Sequence, residues 1–155
     1  DEYQDTYEKY TIVEPNDIII NGLNLNYDLK SMRVGKVTEN GIITSAYIVL
    51  RPYNNVCSDF FNYLFKAFDY RKFFHGMGKG IRLTLSFNEL RYFEIPIPPI
   101  DEQKKIAAYL DEKCAKIDAI LEKINTEVER LKELKRSLIN EVVTGQRAID
   151  TESHS

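Results

Sequence analysis

Basic side chains gather between residues 66 and 82 of this sequence. The bases there are Lys66, Arg71, Lys72, Lys79 and Arg82, against Asp69 alone, with His75 among them. Such a cluster can contact the phosphates of a nucleic acid. An exposed helix face of an ordinary protein can carry as many charges, so composition alone leaves both interpretations open.

No catalytic constellation accompanies these bases. The histidines are His75 and His154, and neither has the serine, cysteine and acid partners of a catalytic triad. Cys57 and Cys114 lie far apart with no neighbouring Cys or His, which argues against a zinc site or a disulfide scaffold and favours a reducing compartment. Residues 76–80 (GMGKG) lack the Gly-Lys-Ser/Thr ending of a phosphate-binding loop and follow a helix-like segment, not a strand. We therefore expect a binding or assembly module without catalysis, cofactor or metal.

The composition is that of a folded domain with an appendage. The chain has 155 residues, of which 43% are hydrophobic and 29% charged, with a net charge of −3. The charge is unevenly distributed along the chain. Residues 18–100 hold ten bases and six acids and are therefore basic, whereas residues 1–17 hold six acids and one base. No apolar run approaches the ~18 residues of a membrane span, and no signal peptide opens the chain.

Residues before Pro98-Pro99 show a mixed pattern, which predicts an α+β domain. β-branched and alternating runs predict five strands at Asp17–Asn21, Arg33–Val37, Ile42–Arg51, Ile81–Leu85 and Tyr92–Ile97. Turn residues at Asn40-Gly41, between two of these runs, predict a hairpin.

Two helices are also predicted within this domain. Ser58–Phe74 has phenylalanines at helical spacing and Ser58 or Asp59 as an N-cap. Ser86 and Glu89 fit a capping box that opens a short helix.

The segment after the prolines predicts one long helix. Asp101–Thr144 contains no Gly or Pro, and Gly145 stands where a C-terminal cap glycine belongs. A heptad repeat runs through it, with d positions at Leu110, Ile117, Ile124, Leu131 and Leu138, and a positions at Ala107, Cys114, Leu121, Val128, Lys135 and Val142. This favours a coiled coil over a long helix lying on a larger core.

Two stretches around this helix resemble a known family. Glu94–Leu110 (EIPIPPIDEQKKIAAYL) strongly resembles the junction in specificity (S) subunits of type I restriction–modification systems, and the helix end Leu131–Gln146 also matches. The matching junction residues are Pro98, Pro99, Glu102, Gln103 and Ile106, and those of the helix end include Leu138 and Thr144-Gly145. Upstream, Pro15–Ile18, Thr44–Tyr47 and Gly80–Ser86 lie in the order that such domains show.

The resemblance implies a function and its partners. A full S subunit has two target recognition domains, each followed by a long helix, and the helices pair antiparallel. Each domain reads one half of a bipartite site in double-stranded DNA. Modification subunits methylate adenine and restriction subunits cleave, so the S subunit itself is a non-catalytic, cytoplasmic DNA-binding component.

The chain departs from that pattern by holding one domain and one helix. We expect a recognition domain at residues 1–100, incomplete at its start, a coiled-coil helix at 101–145 and a polar tail at 146–155. The helix would pair with a second S-subunit helix or with that of another copy.

Candidate DNA contacts follow from base-edge chemistry, because Arg and Lys read guanine while Asn and Gln read adenine. The loop candidates are Asn24, Asn26, Lys30, Arg33, Lys79 and Arg82, and the phosphate candidates are Arg71 and Lys72. An alternative function is a coiled-coil assembly module whose head binds protein and not DNA.

Overall fold

The computed structural model describes residues 10–26, 32–81 and 83–148 of the chain. Lys30 and Arg82, two of the loop candidates, lie outside the described residues. The chain divides into two compact units, Asp1–Tyr109 and Leu110–Ser155.

Five strands in the described residues form two small antiparallel sheets. One sheet pairs β1 (Tyr10–Val13) with β4 (Gly41–Thr44), and the other has the order β3 (Val34–Lys36), β2 (Ile18–Ile20), β5 (Ile48–Leu50). Alternate side chains of the central strand β2 point into the core, so Ile18 and Ile20 are buried.

In the part of the chain that the structure describes, four helices follow the strands. They are α1 (Ser58–Tyr70), α2 (Phe73–Met77), α3 (Phe87–Leu90) and α4 (Ile100–Val143). One face of α1 supplies Phe60, Phe61 and Phe65 to the core. The small sheets and the long helix confirm the predicted α+β class.

The prediction of a hairpin at Asn40-Gly41 is wrong. The flanking strands β3 and β4 belong to different sheets, where they pair with β2 and β1. The predicted strand Ile42–Arg51 is also interrupted, because the backbone N–H of Tyr47 donates to the carbonyl of Thr44 at 3.1 Å in a turn. Turn residues indicate where a chain bends, but the strand partner is chosen by burial of distant residues.

The predicted helix Ser58–Phe74 is broken near its end. Lys72 has a left-handed backbone with φ of 58° and separates α1 from α2. At 3.6 residues per turn, an unbroken helix would place Phe74 half a turn round from Phe65. The break instead brings their ring centroids to 6.5 Å, and Phe74 is buried.

Two predicted strands are absent from the described residues. Residues 81 and 83–85 form part of a tight turn with one isolated bridge between Lys79 and Thr84. Residues 92–97 have no regular secondary structure, since Pro96 lacks the N–H that a strand would donate. The capping box is confirmed, because the backbone N–H of Ser86 donates to Oε2 of Glu89 at 3.0 Å.

The long helix matches its prediction to within one residue at each end. Gly145 has a φ of 74°, and its N–H donates to the carbonyl of Val142 at 3.2 Å. The heptad assignment of Ala107 as a helix-pairing residue is wrong. Ala107 is buried in the hydrophobic core of the first unit, where no partner helix can reach it.

Candidate nucleic-acid interface

Two loops that were predicted separately to read bases lie side by side. The backbone N–H of Leu25 donates to the carbonyl of Leu83 at 3.1 Å, and that of Leu85 donates to the carbonyl of Gly22 at 2.9 Å. The side-chain Nδ2 of Asn26 donates to the carbonyl of Ile81 at 3.2 Å. Residues 21–26, 79–81 and 83–85 therefore form one surface, called here the paired loops.

The second of the paired loops is a rigid turn. The backbones of Lys79 and Thr84 exchange hydrogen bonds of 3.1 and 3.0 Å, and the N–H of Leu83 donates to the carbonyl of Gly80 at 3.1 Å. Leu83 has a φ of 43°, which is uncommon for a bulky residue. The side chain of Ile81 at the tip is 95% exposed.

Two glycines allow the paired loops to approach each other. A Cβ at Gly22 would lie 2.1 Å from the carbonyl oxygen of Leu85, and a Cβ at Gly78 would lie 2.8 Å from Cδ1 of Leu25. Both distances are far inside van der Waals contact. A side chain at Gly22 would require the backbone to move, whereas one at Gly78 would displace the end of the Leu25 side chain and crowd the backbone of Leu83.

Arg33, a predicted base reader, lies beneath the paired loops and is 4% exposed. Its NH1 donates to the carbonyls of Leu23 at 2.7 Å and Asn21 at 3.2 Å, and its NH2 donates to that of Asn24 at 3.3 Å. These bonds hold the loop around Asn24, whose φ is 51°. The backbone N–H of Arg33 also donates to Oδ2 of Asp69 at 2.7 Å.

Asp69 connects the paired loops to the predicted phosphate contacts. This buried aspartate lies on α1, two residues before Arg71, and it receives the N–H of Arg33 from the neighbouring strand region. Arg71 is exposed and Lys72 is half-buried. Within the described part of the chain neither forms an ion pair with an acid, so both cations are available to an anionic ligand.

Lys79 forms an ion pair with an acidic neighbour. Its Nζ lies 3.3 Å from Oε1 of Glu89, although the lysine side chain is 76% exposed. Hydrogen bonds from the hydroxyl and backbone N–H of Ser86, with Lys79 nearby, lower the pKa of Glu89 to about 2. The ion pair ties the tight turn to the start of α3.

An acid–base pair that was not predicted from the sequence lies outside the paired loops. The Nε and NH2 atoms of Arg51 donate to the two carboxylate oxygens of buried Asp17, at 2.9 and 2.8 Å. Arg51 is the main cause that lowers the pKa of Asp17. The two residues are 34 positions apart, so no local pattern marks them as partners.

The predicted helix-pairing residues of the second unit face solvent. Ile117, Leu121, Ile124, Val128, Leu131 and Leu138 are between 42% and 55% exposed. Leu110 and Val142 are half-buried and Lys135 is exposed. A regular apolar row of this kind on a single helix is typical of a surface that another helix covers.

The described residues contain neither a candidate metal site nor a membrane-spanning helix. Across 10–26, 32–81 and 83–148, no group of three or more His, Cys, Asp or Glu could hold a metal ion. In those ranges no helix has both the length and the apolar character needed to cross a membrane.

Comparisons with known proteins identify the family that this sequence resembles. Residues 1–130 match the family model of the type I restriction modification DNA specificity domain. The chain is also 29% identical, over 100 residues, to a putative type I restriction enzyme MjaX specificity subunit of Methanocaldococcus jannaschii. That match covers 63% of this chain and 23% of the relative, so the chain spans about a quarter of the relative's length. Since the family model covers most of its residues, the chain belongs to the family of type I restriction–modification DNA specificity domains.

Proposed function

We propose that this chain is a sequence-specific DNA-binding component of a type I restriction–modification complex. It reads one half of a bipartite site in double-stranded DNA and acts in the cytoplasm. It carries no catalysis of its own and directs methylation and cleavage by modification and restriction subunits. One observation supports DNA reading beyond the family: the hydrogen bond between Asn26 and Ile81 joins two candidate reading loops into one surface.

The candidate residues fall into two groups, those that would contact base edges and those that would contact phosphates. Asn24, Asn26 and Lys79 belong to the paired loops and would face base edges. Arg71 and Lys72 would contact phosphates, which fixes the orientation of the domain without reading sequence. Arg33 acts as a positioning residue in this proposal, because its guanidinium is already bonded to loop carbonyls.

The long helix supplies the second half of the proposal. Its exposed apolar row would pair with another helix of the same kind, either from a second recognition domain or from another copy of the chain. An antiparallel pair would place the two recognition domains at opposite ends, which suits a site with two separated halves.

The alternative, a coiled-coil module with a protein-binding head, requires the same apolar row but no DNA contact. The dependence of binding affinity on salt concentration distinguishes the two functions. Binding through several phosphates releases counterions and weakens steeply as salt rises, whereas an apolar helix seam does not.

The experiment uses the whole chain and a library of randomised duplexes. Bound duplexes are selected and sequenced, and the affinity for the selected duplex is then measured by fluorescence anisotropy between about 50 and 200 mM salt. We expect one enriched sequence and a linear fall of log affinity with log salt. Helix association without enrichment or salt-dependent DNA binding would favour the alternative.

A further inference from the structure

The tip of the tight turn presents an apolar side chain on a fixed backbone. Ile81 is 95% exposed, and the turn that carries it is closed by the paired hydrogen bonds of Lys79 and Thr84. Exposed isoleucines are common singly. This one differs because its own carbonyl is bonded to the side chain of a residue 55 positions away, Asn26.

That bond also determines how the Asn26 amide can act. One N–H of its Nδ2 donates to the carbonyl of Ile81 at 3.2 Å, which orients the amide, since only the nitrogen can donate. The Oδ1 atom accepts no hydrogen bond from any residue that the structure describes. Asn26 and Ile81 are both exposed, so within the described residues the Oδ1 acceptor and the apolar Ile81 side chain belong to the same surface of the paired loops.

These two groups match one base pair in the major groove. Adenine offers its N6 amine as a donor and thymine offers a 5-methyl group, whereas a G·C pair offers the donor of cytosine but no methyl. An acceptor beside an apolar side chain therefore favours an adenine–thymine pair, or two neighbouring pairs that present the same groups.

We propose that Asn26 and Ile81 together read adenine and thymine in the target site. Asn26 Oδ1 accepts a hydrogen bond from the N6 amine of adenine, and the Ile81 side chain packs against the thymine methyl. This inference rests on the proposed DNA-reading function and names the base chemistry that the paired loops recognise.

The test removes single atoms from the selected duplex. Each thymine is replaced in turn by deoxyuridine, which lacks only the methyl, and each adenine by a purine that lacks only the N6 amine. For the wild-type chain we expect one thymine whose methyl contributes about fourfold to affinity. We also expect one adenine whose amine contributes about fivefold.

Variants then assign each loss to a residue. Ile81→Ala should bind the unmodified duplex about fourfold more weakly and lose its sensitivity to that deoxyuridine. Asn26→Ala should lose its sensitivity to the missing amine in the same way. Ile81→Thr is a second variant that retains the branched shape of the side chain for folding. Tyr53→Ala is the surface control, because it truncates a side chain elsewhere that is 83% exposed. It should leave the sensitivity to the methyl and to the amine unchanged.

The outcomes separate this inference from the proposed function. If no duplex is enriched, both are wrong. If a duplex is enriched but Ile81→Ala and Ile81→Thr keep the wild-type response to every deoxyuridine, the assignment of thymine to Ile81 is overturned while DNA reading stands. Unchanged unfolding temperatures of the variants establish that the losses are local.

Discussion

Oε1 of Gln103 accepts a hydrogen bond from the backbone N–H of Cys57 at 2.9 Å, and so joins the first turn of α4 to the start of α1. The Nε2 atom of the same side chain donates to the carbonyl of Pro98 at 2.8 Å. Gln103 is 2% exposed. Its amide therefore satisfies backbone groups of two half-buried residues where the domain leads into the long helix.

Replacing Gln103 should destabilise the first unit. Gln103→Ala removes the partner of the Cys57 N–H and of the Pro98 carbonyl, which costs about 1–3 kcal/mol for a fully buried group and less for groups of half-buried residues such as these. We expect a lower free energy of unfolding in urea. Gln146→Ala, a change at an exposed position after α4, is the matched control, and equal stability of the two variants would contradict the role of Gln103.

The pair of Asp17 and Arg51 predicts a loss of stability in acid. Because Arg51 lowers the folded-state pKa of Asp17, the carboxylate stabilises the fold above its unfolded pKa of about 3.9. That contribution is lost as pH falls through the folded value. Asp17→Asn should lower stability by about 1–2 kcal/mol at pH 7 and flatten the acid limb of a plot of unfolding free energy against pH. The control Asp118→Asn, at an exposed position of α4, should show the wild-type dependence of unfolding free energy on pH in acid.

The phosphate contacts predict a uniform effect on DNA binding. Changing Arg71 and Lys72 together to Ala should weaken binding about equally for all DNA sequences. It should also reduce the slope of log affinity against log salt concentration by about 1–2. The control removes two exposed charges from α4, with Lys123→Ala and Arg136→Ala. If the salt dependence of the Arg71 and Lys72 double variant is unchanged, these two residues are solvated surface residues that do not contact DNA phosphates.

The left-handed backbone of Lys72 predicts that stability and DNA binding move in opposite directions. Lys72→Gly relieves an unfavourable conformation and should raise the free energy of unfolding by about 0.5–1 kcal/mol. The same change removes a cation and should weaken DNA binding. Arg71→Gly, at a φ of −81°, removes a cation without that gain. A less stable Lys72→Gly variant would show that its backbone is not strained.

The long helix predicts an antiparallel pair whose register depends on Lys135. In one antiparallel register Leu121 meets Ile124 of the partner helix and Lys135 lies beside Leu110, whereas a parallel pair would oppose Lys135 to itself. With Cys114→Ser as background, cysteines at positions 121 and 124 should cross-link between chains.

Two further measurements test the same helix pair. Lys135→Leu should raise thermal stability but permit parallel or larger species, because a polar residue at an a position fixes register at some expense of stability. A strict monomer in sedimentation at tens of micromolar, or ready linkage of native Cys114 to Cys114, would contradict the antiparallel arrangement.

Local periodicity was enough to predict much of the fold. The bounds of α4, the cap at Gly145, the Ser86–Glu89 capping box and the phenylalanine face of α1 were all readable from the sequence. Each depends on residues within one or two turns of each other, so spacing along the chain specifies the contact.

Tertiary structure alone decided which distant parts of the chain pair with each other. Asn26 and Ile81 meet across 55 residues, Asp17 and Arg51 across 34, and Asn40-Gly41 joins two sheets in place of forming a hairpin. Arg33 has the residue type of a base reader, yet burial turns its guanidinium onto loop carbonyls. Such contacts are chosen by which distant surfaces can be buried together with their polar groups satisfied, and a linear sequence does not encode that choice in any local pattern.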